Sequence, residues 1–477
     1  MNKKIISGIT LTLLLLSILT LAFNIQTVKA VPTTWTVDDD GPADFSSIQE
    51  AINAATAGDT IIVYAGTYIE NVNVNKKLTV KGINYPVIDG NEARSTVAIT
   101  ADMVILQGFN VTNCGYSGEP FGGGIELSGV ENCIITENHA YDNKRNGISL
   151  TNSNHNIVKN NTCINNENGI RLWSSSPSTS SDNIVYDNTC IENLRYGIEL
   201  WSYKYMTTTT NNNNLTKNKC YLNHYGGIYV AKSVNSILSE NNCSYNDIYG
   251  IKLDTYTKST TKNNTVTNNI ISNNNYGIYL YGAYAWNIEN TIVRNTVANN
   301  HLGVYCDRAY SNKIYHNNFI DNTQQVHIPE SGYANFWDDG YPSGGNYWSD
   351  YEERYPNATE IDGSGIWDTP YVIDENNQDN YPLMEPWSLK PSSPVEATQE
   401  LIETIETWNL HKGTENSLKA KLKAAIHMLD MGKEDGAIRK LTAFINRVEM
   451  LREKTLTNEQ ADYLIAEAQT IVNLING

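Results

Sequence analysis

Basic residues are scarce in this chain: 34 Lys and Arg stand against 52 Asp and Glu, for a formal net charge of −18. That balance argues against a nucleic acid or an anionic membrane surface as partner, since both are bound through cationic stripes. Long apolar runs are missing too, apart from Ile5 to Phe23. No later segment could span a membrane as a helix. Cysteine is sparse and odd in number, seven in all, so at least one thiol stays unpaired in any disulfide scheme. Beyond residue 30 there is no His-x-His, no Met-x-Met and no His-Cys cluster. An EF-hand run of alternating Asp with a terminal Glu is also lacking.

What is present begins with Lys3 and Lys4, the apolar run, and the small-residue stretch Val28-Lys29-Ala30. This is the pattern of a leader for export, so residues 1–30 are expected to be a signal peptide. Its removal takes three lysines and no acids, which makes the mature chain more acidic still. The run is also long enough to stay as an uncleaved anchor, the one route by which a membrane enters. Either way the remainder is expected outside the cytoplasm, secreted or at the cell surface.

The informative signal is a repeat. Asn143, Asn165, Asn193, Asn223, Asn246, Asn273 and Asn299 each stand four residues ahead of a glycine that opens a Gly-Ile-x-Leu-type tetrapeptide, at intervals of 22 to 30 residues. Periods of this size mean stacked units. Each unit holds three short apolar pieces, such as Ile157-Val158, Cys163-Ile164 and Ile170-x-Leu172, separated by Asn, Ser, Thr and Gly. Three strands per repeat make one coil of a parallel β-helix, and parallel crossovers are right-handed. Asn and Gly tolerate the left-handed backbone at the bends, and an asparagine recurring in every coil forms an amide ladder. The competing arrangement, an antiparallel sandwich with Asn-Gly hairpins, predicts no fixed three-piece unit.

Cys190, Cys220 and Cys243 each precede a ladder asparagine by three residues. Ile270 takes the same place one coil later, and Cys163 is out of step by one. A column that accepts isoleucine points inward, so these cysteines are expected to be a stacked file of free thiols. Disulfides or a soft-metal site are the alternatives.

Open-ended coils need covers. At the front, Ile48, Ala51, Ile52 and Ala55 share a helical face, Ser47 and Glu50 form a capping box, and Gly58 ends the helix. The stretch Asp44 to Ile52, followed by Gly58-Asp59-Thr60-Ile61 and Gly66-Thr67-Tyr68, resembles the N-terminal entry of pectin-lyase-like β-helix proteins. The expected order is a cap and first coils over 31–115, then repeat coils over 116–325.

Residues 326–387 form an acidic aromatic closing segment, with thirteen acids against Arg354 alone and four tryptophans. The runs Asn335 to Tyr351, Asp362 to Tyr371 and Asp379 to Met384 resemble the closing segment of NosD-like β-helix proteins, a family labelled as periplasmic copper-binding. The resemblance implies copper; the residues offer carboxylates, which suit hard cations instead. Asp338, Asp339, Asp350, Asp362 and Asp368 are therefore candidate calcium ligands. The alternative is a solvated acidic cap whose tryptophans cover the last coil.

Residues 388–395 read as a Pro/Ser linker. Beyond it the period turns helical: Leu418, Leu422, Ile426 and Leu429 form one stripe, Ile438, Leu441, Ile445 and Val448 another, and Ala461, Leu464, Ile465, Ala468, Ile471 and Val472 a third. The run Ala443 to Val448, with Leu456 to Asp462, resembles the FIMAH-type helical domain of surface and carbohydrate-active proteins. Residues 396–477 are thus expected to be a small helical bundle that anchors the protein or docks another surface protein.

Function belongs on the outer face. Two outward columns flank the third strand: Glu126, Ser149, Arg171, Glu199, Tyr229, Lys252, Tyr279, Tyr305, and Ser128, Thr151, Trp173, Trp201, Ala231, Asp254, Tyr281, Asp307. Aromatic rings beside charged groups suit a sugar chain, with longer loops at 173–183, 201–214 and 254–264 walling one side. Arg171, Trp173, Glu199, Trp201, Tyr229, Lys252, Tyr279, Tyr281 and Tyr305 are the candidate glycan contacts. Asp254 and Asp307, two coils apart in one column, are a candidate catalytic pair at about the 9.6 Å spacing that two strand steps imply. Arg171 and Lys252 would be the charge neutralisers of a uronate lyase or epimerase. The readings that stand are a polysaccharide-binding surface protein, a lyase, epimerase or glycosidase, a copper-binding protein, and a purely structural surface protein. Six Asn-x-Ser/Thr sites, at Asn110, Asn160, Asn214, Asn242, Asn263 and Asn357, allow glycosylation.

Overall fold

The computed structural model describes residues 31–116, 122–175, 177–202, 209–255, 261–282, 287–329, 333–388, 393–408 and 410–476. The expected leader, half of the linker and parts of the three walling loops lie outside these residues. Two compact units divide between Trp387 and Ser388. The first is a parallel β-helix and the second is helical.

In the β unit each coil contributes one strand to each of three parallel sheets, of 12, 11 and 12 strands. The inward positions carry the core: Ile125, Ile148, Ile170, Ile198, Ile228, Ile251 and Ile278 stack in one column of the third strand, and Leu127, Leu150, Leu172 and Leu200 in the next. A fourth, short sheet pairs Thr210–Asn211, Ser233–Val234, Thr261–Lys262 and Asn287–Ile288. It arises where the connection leaving the third strand returns alongside its neighbour, a feature the three-piece repeat does not contain.

The corners are held by asparagine. One ladder runs from Asn143 through Asn166, Asn193, Asn223, Asn246, Asn274 and Asn300 to Asn322, each amide Nδ2 donating to the next Oδ1 at 2.9–3.2 Å. The sequence count placed Asn165, Asn273 and Asn299 in this column. Those three are instead bend residues with φ of 52°, 57° and 55°, and the asparagine after each carries the ladder. In these coils the bend from asparagine to glycine is one residue shorter, so counting back from the glycine overshoots. Two further ladders went unseen in the sequence. One runs from Asn138 to Asn346. The other starts at Asn156 and admits Ser236 at one rung. The asparagine rungs also fill main-chain carbonyls, as Asn188 Nδ2 does for Val158 at 2.9 Å, so the bends leave few buried polar groups unmet.

Cys163, Cys190, Cys220 and Cys243 stand in direct register, followed by Ile271. The file is inward, as expected, but Cys163 is in step and Ile271, not Ile270, continues it. All seven cysteines are buried free thiols, and burial holds Cys190 and Cys220 far above the usual thiol range.

The front cover is the helix Ile48–Ala54, with Ile48, Ala51 and Ile52 buried. Ser47 accepts the Glu50 N–H, but the main cap is the Glu70 carboxylate, which accepts the N–H groups of Ile48 and Gln49 at 2.8 and 3.0 Å. An acid at a helix N-terminus also meets the favourable end of its dipole. At the far end Tyr347–Trp348 pairs with Asn318–Phe319, and Trp348 stacks between Phe319 and Tyr371 at 4.6 and 4.1 Å. With Trp337 and Tyr351 buried beside them, the aromatics of the closing segment cover the last coil.

The second unit has helices Pro394–Thr407, Lys412–Asp430, Glu434–Leu451 and Asn458–Asn476, around a core that includes Leu418, Leu422, Leu441, Phe444, Val448, Leu464 and Ile471. Its first helix begins inside the segment read as linker. Ser393 caps it by accepting the Glu396 N–H at 3.1 Å, and Pro394 sits at the first turn, where its missing N–H costs nothing. Thr457 and Gln460 cap the last helix reciprocally, at 3.0 and 3.2 Å. No described helix is long and apolar enough to cross a membrane.

Candidate functional site

The third sheet brings both outward columns into register. Arg171 pairs with Glu199, Glu199 with Tyr229, Tyr229 with Lys252, Lys252 with Tyr279, and Tyr279 with Tyr305. In the second column Trp173 lies beside Trp201, and Asp254, Tyr281 and Asp307 follow one another. The columns differ along their length in what they expose.

Near the middle the face is closed. Trp173 is 2% exposed, so it is no open stacking platform, although its ring does stand 6.3 Å from the half-buried Trp201. Arg171 and Glu199 are buried and joined at 2.9 Å. Tyr196 and Tyr229 stack at 4.6 Å in a small apolar cluster with Ala231, outside the main core. Tyr196 belongs to a third outward column, continuing through Gly226, Tyr249 and Tyr276, which the sequence reading passed over. Its signal was there: the residue just before the glycine is tyrosine in three of these coils.

Lys252 is the hub of the next level. Its Nζ lies 4.8–5.7 Å from the ring centres of Tyr229, Tyr249, Tyr279 and Tyr281 and 3.0 Å from Asp254 Oδ2, which also accepts the Tyr229 hydroxyl at 3.1 Å. Asp254 is 3% exposed, and its other oxygen is buried without a hydrogen-bond partner among the described residues. Burial pushes its carboxyl up and the Lys252 ammonium pulls it back. The neighbouring Tyr229 and Tyr279 hydroxyls are held above their usual range, chiefly by burial.

Asp307 is bound to Arg308 Nε at 3.0 Å, and Tyr281 occupies the rung between it and Asp254. The proposed acid pair is therefore two carboxylates, each matched to its own cation, with an aromatic residue interposed. Arg171 and Lys252, the candidate neutralisers, are likewise paired with Glu199 and Asp254.

Toward the closing segment the face opens. Tyr276, Tyr279, Tyr281 and Tyr305 are half-buried, with ring centres 4.7–5.7 Å apart, and His327 stacks on Tyr305 at 5.5 Å. Of the candidate glycan contacts, Trp201, Lys252, Tyr279, Tyr281 and Tyr305 are the ones that reach solvent.

The five candidate calcium ligands do not converge. Asp338 accepts from Gly340 and Asn380, Asp339 from Ser343, Asp350 from Tyr371, Asp362 from Tyr341, and Asp368 from Thr359 and Thr369. Each carboxylate pins a turn of the closing segment. Among the described residues, three potential metal ligands come together only at Asp38, Asp39 and Asp40, all hard oxygen donors. Cys163, Cys190, Cys220 and Cys243 stand one per coil in an enclosed file, the other three thiols are buried elsewhere, and the imidazole of His316 is stacked on Trp387 at 3.5 Å. This donor set does not fit copper, which wants converging His, Cys or Met.

Fold and face together define a right-handed parallel β-helix protein with an aromatic outer sheet. Three family models match along the chain in succession: a right handed beta helix region over 54–221, the periplasmic copper-binding protein NosD over 178–353, and the FIMAH domain over 395–473. The chain is thus a NosD-like β-helix followed by a FIMAH domain. It is also similar to a cell surface glycoprotein of Methanothermus fervidus, 32% identical over 166 residues, covering 27% of this chain and 26% of that protein; the chain therefore spans about a quarter of that relative. Solved structures of similar form include the mannuronan C-5 epimerase AlgE6 A-module of Azotobacter vinelandii (14% identity, TM-score 0.41, 60% of this chain and 91% of that one). The surface adhesin PfbA of Streptococcus pneumoniae is another (11%, 0.43, 60% and 89%). A mannuronic acid specific polysaccharide family 6 lyase from human gut microbiota is a third (14%, 0.44, 63% and 83%).

Proposed function

We propose that this is a cell-surface β-helix protein that binds polysaccharide through the tyrosine patch at the closing end of its third sheet. The observation that carries the reading is the open group of Tyr276, Tyr279, Tyr281 and Tyr305 on a rigid strand scaffold. Aromatic faces with a polar edge, fixed by backbone pairing, pack on the apolar faces of sugar rings and bond their hydroxyls at low entropic cost. The similarity to a cell surface glycoprotein supports the location. The FIMAH unit would anchor the protein or dock a surface partner.

Binding rather than turnover is the reading that the charges favour. Each outward acid of the candidate pair is engaged by a neighbouring cation, Asp254 by Lys252 and Asp307 by Arg308. The test is a panel of soluble polysaccharides against the chain, scored for retention and for released reducing ends. Retention without release, lost in the Tyr279→Ala/Tyr305→Ala double variant, is the expected result. Product release that survives this variant would overturn the binding reading in favour of an enzyme.

A further inference from the structure

We infer that the tyrosine face selects an uncharged polysaccharide and discriminates against uronate polymers. This rests on the glycan-binding reading above and narrows it to a ligand class. A polyuronate needs cations free to pair with its carboxylates. On this face the described cations are already matched: Arg171 to Glu199 at 2.9 Å, Lys252 to Asp254 at 3.0 Å and Arg308 to Asp307 at 3.0 Å. The exception is several coils from the tyrosines, where Arg145 and Arg195 share the single carboxylate of Glu167 at 3.7 and 3.6 Å. Lys252 is in addition ringed by four tyrosines.

A uronate that drew Arg171 or Lys252 away from its partner would displace Glu199 or Asp254, both almost fully buried. That exchange would leave an uncompensated carboxylate in the protein, one of the costliest arrangements a folded chain can adopt. The net charge of −18 adds a long-range repulsion toward any polyanion. What the face still offers is ring surface and phenolic hydroxyls, which donate and accept at the same site. Those groups match the C–H faces and hydroxyls of a neutral pyranose chain.

The experiment compares soluble mannan, xyloglucan and mixed-linkage glucan with polygalacturonate and alginate. Binding is measured by calorimetry on the full mature chain at pH 8, where imidazoles are neutral, in low and high salt. A neutral polymer is expected to bind with an affinity that salt leaves unchanged, and the uronates to bind at least about tenfold more weakly, a difference of about 1.4 kcal/mol. Tighter binding of a uronate polymer, weakening as salt rises, would overturn this inference and leave the glycan reading intact. Binding of none of the five polymers would sink the glycan reading, and this inference with it.

Discussion

The carboxylate of Asp379 accepts the backbone N–H of Asn346 at 2.7 Å, in the place where the next asparagine of the ladder would stand. It also accepts the Trp348 indole N–H at 2.9 Å and the Tyr381 N–H at 3.1 Å. The column that begins with Asn138 thus ends on an acid, and that acid lies under the aromatic cover. At the other end of the β-helix Asp59 does a similar task, accepting from Thr33 and Thr56 main chain and from the Trp35 indole.

These two acids respond to pH in opposite senses. Burial pushes Asp379 up to about 7, while the N–H donors of Thr33 and Thr56 hold Asp59 down at about 2. Between about pH 4 and 7 the folded chain keeps a proton on Asp379 that the unfolded chain has lost, so stability falls as pH rises through that window. Below about pH 4 the unfolded chain protonates Asp59 first, and stability is lost as pH falls toward 2. Thermal unfolding across this range should show a maximum near the lower end of the first window. Asp379→Asn, which cannot ionise, should flatten the upper limb and spare the acid limb. An unchanged upper limb in that variant would remove Asp379 as its cause.

A ladder rung can be tested singly. Asn218→Ala removes the acceptor of the Asn188 N–H and amide, and also the amide that fills the Val185 carbonyl at 2.8 Å. Leaving buried polar groups unmet costs about 1–3 kcal/mol each, so a clear fall in denaturation midpoint is expected. Asn165→Ala alters a bend residue outside the column and should cost less, mainly through its left-handed backbone. Equal losses in the two variants would contradict the assignment of Asn166 to the ladder.

That pair of residues shows where the sequence was legible. The repeat of Gly-Ile-x-Leu is dictated by inward and outward alternation, and alternation survives any change in bend length, so both outward columns fell into their true register. Whether Asn165 or Asn166 joins the ladder depends on bend length, which varies by one residue between coils. The burial of Trp173 was hidden for another reason: outward from the strand is not the same as open to solvent. The carboxylates of the closing segment were misgrouped since their partners, such as Asn380 for Asp338 and Tyr341 for Asp362, lie 21 to 42 residues away. The Glu70 cap of the first helix is a non-local contact of the same sort.

The thiol file has a simple readout. All seven cysteines are buried, and only the thiolate reacts rapidly with disulfide reagents. The native chain should consume almost no reagent, and the denatured chain should consume seven equivalents. Rapid labelling of even one native thiol would mean an open path into the coil interior. Cys190→Ser should destabilise more than Cys190→Ala, since the serine hydroxyl enters an apolar column with no new partner.

The helical unit has its own core and capped helices, so residues 388–477 should fold when expressed alone. A helical circular dichroism spectrum with a cooperative melt is the expected result. A fragment without a melting transition would mean that the FIMAH unit depends on the β-helix for its structure.

The sharpest comparison separates Trp173 from Tyr279 and Tyr305, all of which the sequence grouped as one glycan face. Trp173 is buried and Tyr279 and Tyr305 are half-open, so the same truncation should have opposite consequences. Trp173→Ala vacates a packed volume and should lower stability by about 3–5 kcal/mol, while affinity for polysaccharide, measured where the variant remains folded, stays near that of the parent. Tyr279→Ala/Tyr305→Ala exposes little that was sealed and should cost less stability, while each lost ring contact removes about 0.5–1.5 kcal/mol of binding beyond the area it covers. If the tryptophan variant loses binding while the tyrosine variant retains it, the ligand path runs along the closed middle of the sheet, and the tyrosine patch is only a cover for the last coils.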